Sequence, residues 1–163
     1  MKILLIGMPL SGKTTVGALL ASRLNYYFYD SDALIRSRFG SIKEAFANGE
    51  ENFRTIENEV IEGLLTKQNV VIASGGGLVT TNRGRENIKK FDCVIYLYAD
   101  ENELESRYVP DGKRPLVSKK DDLKRLLENR AEIYSSLATF TLSTVGVTPK
   151  NVAKAAQQMI NSL

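Results

Sequence analysis

The residues best suited to chemistry fall into short groups along the chain. Gly7-Met8-Pro9-Leu10-Ser11-Gly12-Lys13-Thr14 fits G-x-x-x-x-G-K-[ST], a loop whose backbone N–H groups cradle phosphates. The N-terminus of a following helix adds further N–H groups and a positive dipole end. In this pattern Lys13 reaches β- and γ-phosphates and the Thr14 hydroxyl can ligate Mg²⁺. Gly7, Leu10, Ser11, Gly12, Lys13, Thr14 and Thr15 are therefore the candidates for contact with a nucleoside triphosphate. Asp30-Ser31-Asp32 places two carboxylates at i and i+2, on the same side of an extended segment. One carboxylate suits Mg²⁺ and the other an acceptor hydroxyl; Asp32 equally suits a helix N-cap before Ala-Leu-Ile. Ser74-Gly75-Gly76-Gly77 either turns tightly or lets a ligand approach the main chain.

Three further groups are cationic. Arg54 and Glu57, three apart on a helix, read most simply as a solvated surface pair. Arg130 interrupts an apolar stripe of Leu123, Leu126, Leu127, Ala131 and Tyr134, so it either meets a buried carboxylate or binds an anion. The basic stretch from Arg107 through Lys113-Arg114-Pro115 carries Pro and Gly residues that end regular structure. It reads as a solvated loop or as a lid whose cations close over a transferring phosphate.

Composition narrows these options. The chain has 163 residues and no histidine, and Cys93 is its only cysteine. Imidazole bases, Cys-His pairs, disulfides and Cys/His zinc sites are thereby excluded. Proton transfer falls to a carboxylate, Lys, Tyr or water, and a metal must be a hard cation such as Mg²⁺. Twenty-two Lys and Arg against 19 Asp and Glu leave a net +3, too mild to argue for nucleic acid. No run reaches the roughly 18 apolar residues of a membrane span. The expectation is a cytoplasmic protein without membrane or nucleic-acid partners.

The elements that must hold these residues alternate strand and helix. Strands are expected at Lys2–Ile6, Tyr26–Tyr29, Val70–Ala73, Cys93–Tyr98 and Thr139–Leu142. Tyr26–Tyr29 reads as a buried strand, and Cys93 as a core residue. Helices are expected over Lys13–Leu24, after the capping box Ser41-x-x-Glu44, along Phe53, Ile56, Val60, Ile61 and Leu64, over Asp122–Tyr134, and after Thr148-Pro149. This order predicts a three-layer α/β/α fold with a five-stranded parallel sheet in a single domain over 1–163, with the lid reading of the basic stretch covering about 107–119. Ligands in such folds bind beyond the carboxyl ends of the strands.

Taken together, the motifs resemble the shikimate kinase family, small P-loop kinases of the nucleoside-monophosphate-kinase-like fold. The resemblance runs nearly end to end and rests on the P-loop, Asp30-x-Asp32, Phe53-Arg54-x-x-Glu57, Gly75-Gly76-Gly77, Arg114-Pro115-Leu116 and Arg130-x-x-x-Tyr134. It implies ATP-dependent phosphorylation of the shikimate 3-hydroxyl, on the route to chorismate and the aromatic amino acids. It also implies that Asp32, Arg54, Arg130 and the glycines Gly75, Gly76 and Gly77 meet shikimate, with Asp32 taking the hydroxyl proton. Thr14 and Asp30 fall at magnesium positions, Lys13 and Arg114 at the phosphates, and Arg107 over the adenine. A monomer is expected. Two positions depart from the family: Leu10 stands where another P-loop glycine is usual, and Val147 where an arginine often lies near the adenine.

Two other readings compete. One is a related kinase for gluconate or a nucleotide; the other is a nucleotide-binding regulatory module without turnover. The pairing of Phe53-Arg54-x-x-Glu57 with Gly75-Gly76-Gly77 favours shikimate over the first, and the full set of lid and acceptor-side cations argues against the second. A GTPase is disfavoured by the absence of Asn-Lys-x-Asp.

Overall fold

A computed structural model describes residues 1–163. Five parallel strands, β1 (Lys2–Ile6), β2 (Tyr27–Asp30), β3 (Val70–Ala73), β4 (Cys93–Tyr98) and β5 (Phe140–Ser143), form one sheet in the order β2-β3-β1-β4-β5. Successive side chains of a strand point to opposite faces, and the apolar runs serve both. Ile3, Leu5, Val71, Cys93, Ile95 and Leu97 pack on one face under α1 (Lys13–Leu24) and α8 (Pro149–Ile160). Leu4, Ile6, Val70, Ile72, Val94 and Tyr96 pack on the other. That face is covered by α4 (Glu50–Leu65) and α7 (Lys120–Leu137), with α2 (Ser31–Phe39) and α3 (Ile42–Ala45) at its margin. A short 3₁₀ turn (Leu78–Thr80), α5 (Asn82–Ile88) and α6 (Glu101–Ser106) complete the chain. No helix is long and apolar enough to cross a membrane.

The register positions the site. Leu5 pairs with Ala73 and with Ile95, and Asp30 pairs with Ala73. The carboxyl ends of β1, β2 and β3 therefore end at one edge. The P-loop, the Asp30–Asp32 segment and the glycine triplet start there side by side. The order also puts β1 between β3 and β4, so the P-loop emerges at the crevice where ligands of open α/β sheets sit.

Some expectations are corrected. The second strand starts one residue later and lies at the sheet edge, so Tyr27 is 71% exposed and the Tyr-rich run is only half core. Leu19 of α1 faces outward, while Gly17 on the opposite side of that helix lies close against Phe28 and Leu5. Asp30 closes β2, whereas Asp32 lies in the first turn of α2, so the two carboxylates do not share an extended segment. The N-cap is Asp30, which accepts from Ala33 N at 3.0 Å; Asp32 stays free of that duty.

Candidate active site

A cleft of ≈ 820 Å³ opens along the carboxyl edge of the sheet. It runs from Val147 and Pro149, past the P-loop, to Phe46 and Phe53. The P-loop floor is set by backbone conformations that its residues must accept. Gly7 and Gly12 have φ of 146° and 91°, in the region that glycine adopts without a Cβ penalty. A Cβ on Gly7 would also lie 2.6 Å from Leu97 O. Leu10 takes φ 70°, which costs a non-glycine residue roughly 1–2 kcal/mol. The loop thus closes with leucine at the departure position. Its carbonyl is held by Arg107 Nη1 at 3.0 Å.

Lys13 is buried, and its ammonium donates to Gly7 O at 2.9 Å and Met8 O at 2.7 Å. Burial lowers its pKa to about 8, with Asp32 and Asp30 pulling the other way. Thr14 Oγ1 donates to Asp30 Oδ2 at 2.5 Å. A hydroxyl and a carboxylate, both hard oxygens, thus meet beside the phosphate loop. No cluster of three or more His, Cys, Asp or Glu exists to hold an ion without help. The pair therefore fits Mg²⁺, which keeps water and phosphate ligands and needs only one or two from protein.

The acceptor side is built from buried charge. Arg54 and Glu57, expected at the surface, are 7% and 0% exposed. Arg54 Nη1 donates to Glu57 Oε2 at 2.8 Å, and Nη2 to Glu50 Oε1 at 3.2 Å. Arg54 Nε and Glu57 Oε1 have no protein partner. Asp32 accepts no hydrogen bond, and burial raises its pKa, followed by the charge of Asp30. The glycine triplet is required by space here rather than by dihedral angle. A Cβ on Gly75 would strike Glu57 Oε1 and lie 2.9 Å from Asp32 Oδ1; on Gly77 it would enter the Arg54 guanidinium. Gly76 lies against Pro9, 2.9 Å from where its Cβ would be. The loop is further fixed by Gly75 N donating to Ser31 Oγ at 3.0 Å and by Tyr134 OH donating to Gly76 O.

The remaining cations divide. Arg107 reaches Leu10 O, Glu103 and Thr144 O, bridging the P-loop to the segment after β5. Arg114 lines the cleft and rests against Asp111 at 3.4 Å. Arg130 is 5% exposed and forms no ion pair, and it does not line the cleft wall as Arg54 does. Val147 is exposed on the cleft rim. Ser31 and the Tyr134 hydroxyl were missed as site residues by sequence reasoning. Ser31 was visible only as the spacer between two aspartates, and Tyr134 only as a stripe residue one turn after Arg130.

Known proteins resemble this chain in sequence and in fold. The family model described as "Shikimate kinase" matches residues 9–161. The chain is 38% identical over 157 residues to the shikimate kinase of Thermodesulfovibrio yellowstonii, covering 93% of this chain and 90% of that protein. It is 41% identical over 148 residues to that of Clostridium botulinum, covering 87% of each. Its structure superposes on shikimate kinase from Acinetobacter baumannii in complex with shikimate with TM-score 0.94 and 35% identity, over 99% of this chain and 93% of that one.

Proposed function

The chain belongs to the shikimate kinase family, and on that premise we propose how its residues divide the work. The protein is an ATP-dependent kinase that phosphorylates the 3-hydroxyl of shikimate, giving shikimate 3-phosphate and ADP in chorismate biosynthesis. Asp32 lies beside the acceptor loop with no protein donor on its carboxylate. It orients the 3-hydroxyl and takes its proton as the phosphoryl group arrives. Its raised pKa suits that task better than an ordinary surface aspartate would. Arg54 in the cleft wall holds the shikimate carboxylate, and Arg130, buried with no ion pair of its own, turns into the cleft to share it, guanidinium forks matching a planar anion. The main chain of Gly75, Gly76 and Gly77 forms the wall against which the ring rests.

On the nucleotide side, the P-loop from Gly7 to Thr15 wraps the phosphates. Lys13 leaves its carbonyls for the β- and γ-phosphates, and Arg114 exchanges Asp111 for the transferring group. Thr14 and Asp30 would hold Mg²⁺, which would offset phosphate charge when bound. Arg107 lies at the adenine end, with Val147 at the rim beside it. Positioning and electrostatics of this kind supply most of the catalysis in phosphoryl transfer. The segment of about 107–119 acts as the lid, and the enzyme works as a cytoplasmic monomer with Mg²⁺-ATP and shikimate as its small-molecule partners.

One observation carries the assignment of the acceptor side: Gly75 and Gly77 leave room only for Glu57, Asp32 and Arg54 behind them. The test is ADP release with ATP and Mg²⁺ in the presence of shikimate, gluconate or a nucleoside monophosphate, against a blank without acceptor. Shikimate alone should give signal above the blank. Turnover with gluconate or a nucleotide instead would replace the acceptor, and ATP binding without any acceptor-dependent ADP would leave only a binding module.

A further inference from the structure

Tyr134 is fully buried on α7, one turn after Arg130, and no part of it lines the cleft. Its ring stacks on Tyr96 with centroids 5.1 Å apart. Its hydroxyl donates to Gly76 O at 2.5 Å, across 58 residues of sequence. The carbonyl of Gly76 is therefore turned away from the cleft, toward the core. In a planar trans peptide the next N–H points the opposite way. That N–H belongs to Gly77, which lines the cleft. Neither Gly76 N–H nor Gly77 N–H has an acceptor in the protein, whereas Gly75 N–H is satisfied by Ser31. Gly76 is confined on its other side by Pro9 of the P-loop.

We propose that Tyr134 is a positioning residue, whose hydroxyl anchors the Gly76 carbonyl and so aims the Gly77 N–H at the acceptor. This rests on the reading of the glycine loop as the shikimate wall. Burial holds the phenol pKa above its ordinary value, so the donor keeps its proton through the working pH range. The neighbouring Tyr96 supplies an internal comparison. It is equally buried in the same stack, but its hydroxyl has no partner.

Tyr134→Phe keeps the stack and removes one oxygen. The KM for shikimate should rise roughly five- to tenfold, the worth of one buried hydrogen bond. The KM for ATP should stay within about twofold of wild type on the same scale. Tyr96→Phe should leave both constants unchanged. Unchanged shikimate KM in Tyr134→Phe, or equal rises for shikimate and ATP, overturns the proposal. Should Tyr134→Phe fail to fold, the wild-type protein decides by ¹⁵N NMR. The Gly77 amide resonance should shift on adding shikimate, and a stationary Gly77 signal overturns the proposal. If wild type shows no shikimate-dependent ADP release, the acceptor reading itself has failed, which is a separate result.

Discussion

The two halves of the cleft are built differently. On the acceptor side the groups hold one another: Arg54 on Glu57, Gly75 on Ser31, Gly76 on Tyr134, all within the packed interior. On the phosphate side the charged groups rest on temporary partners. Lys13 sits on loop carbonyls, and Arg114 on Asp111 at 3.4 Å with its side chain 35% exposed. An exposed pair of that kind contributes about 0–1 kcal/mol and is released at little cost. In the proposed reading the acceptor side is held by its own contacts before ligand arrives, and the phosphate side exchanges its partners for ATP.

This contrast can be broken by substitution. Asp32→Asn joins both halves and should have the largest effect, a loss of roughly 10²–10⁴ in kcat with ATP binding retained by calorimetry. Near-normal turnover would remove Asp32 from its role. Arg54→Ala should raise the shikimate KM and also lower stability by about 3–5 kcal/mol, because Glu57 is left buried and unpaired. Denaturant unfolding and steady-state kinetics on one preparation test both halves of that statement. Arg114→Ala should show the opposite signature: kcat down roughly tenfold to a hundredfold, with the midpoint of unfolding unmoved. A large loss of stability there would erase the distinction between the two sides. Gly77→Ala should raise shikimate KM about tenfold by displacing the Arg54 guanidinium, whereas Gly63→Ala, with open space around it, should not.

The smallest effect concerns pH. The Lys13 pKa is about 8 in the folded protein against an ordinary 10.5, so between these the unfolded chain binds more protons. The Lys13 contribution to stability therefore increases as pH rises from about 8 to 10.5 in ligand-free protein. Over the same range kcat/KM for ATP should fall, since the neutral amine binds phosphate poorly, while kcat should hold because bound phosphates restore the charge. A flat kcat/KM profile above pH 8 would show that burial does not act on Lys13 in this way.

Much of the phosphate side was legible in the sequence, because a P-loop is local: its glycines, Lys13 and Thr14 lie within one turn and one helix start. The parallel sheet was legible for the same reason, from continuous apolar runs between helical stripes. The acceptor side was not. Arg54 and Glu57 looked like an ordinary surface pair, since i,i+3 spacing says they are neighbours and nothing about what covers them. The glycine triplet left open a tight turn or a ligand's close approach, and gave no sign that Glu57, Asp32 and Arg54 crowd it. The edge position of β2 depends on strand order, which no single strand encodes. The exchange of capping between Asp32 and Asp30 turned on where the strand ends, a matter of one residue.

The claim that the acceptor side stands ready is tested most directly by titrating shikimate into nucleotide-free wild-type protein in a calorimeter. One saturable site should appear, with a Kd within about tenfold of the KM for shikimate, in the roughly micromolar to millimolar range usual for enzymes. No binding until an ATP analogue is added would contradict it.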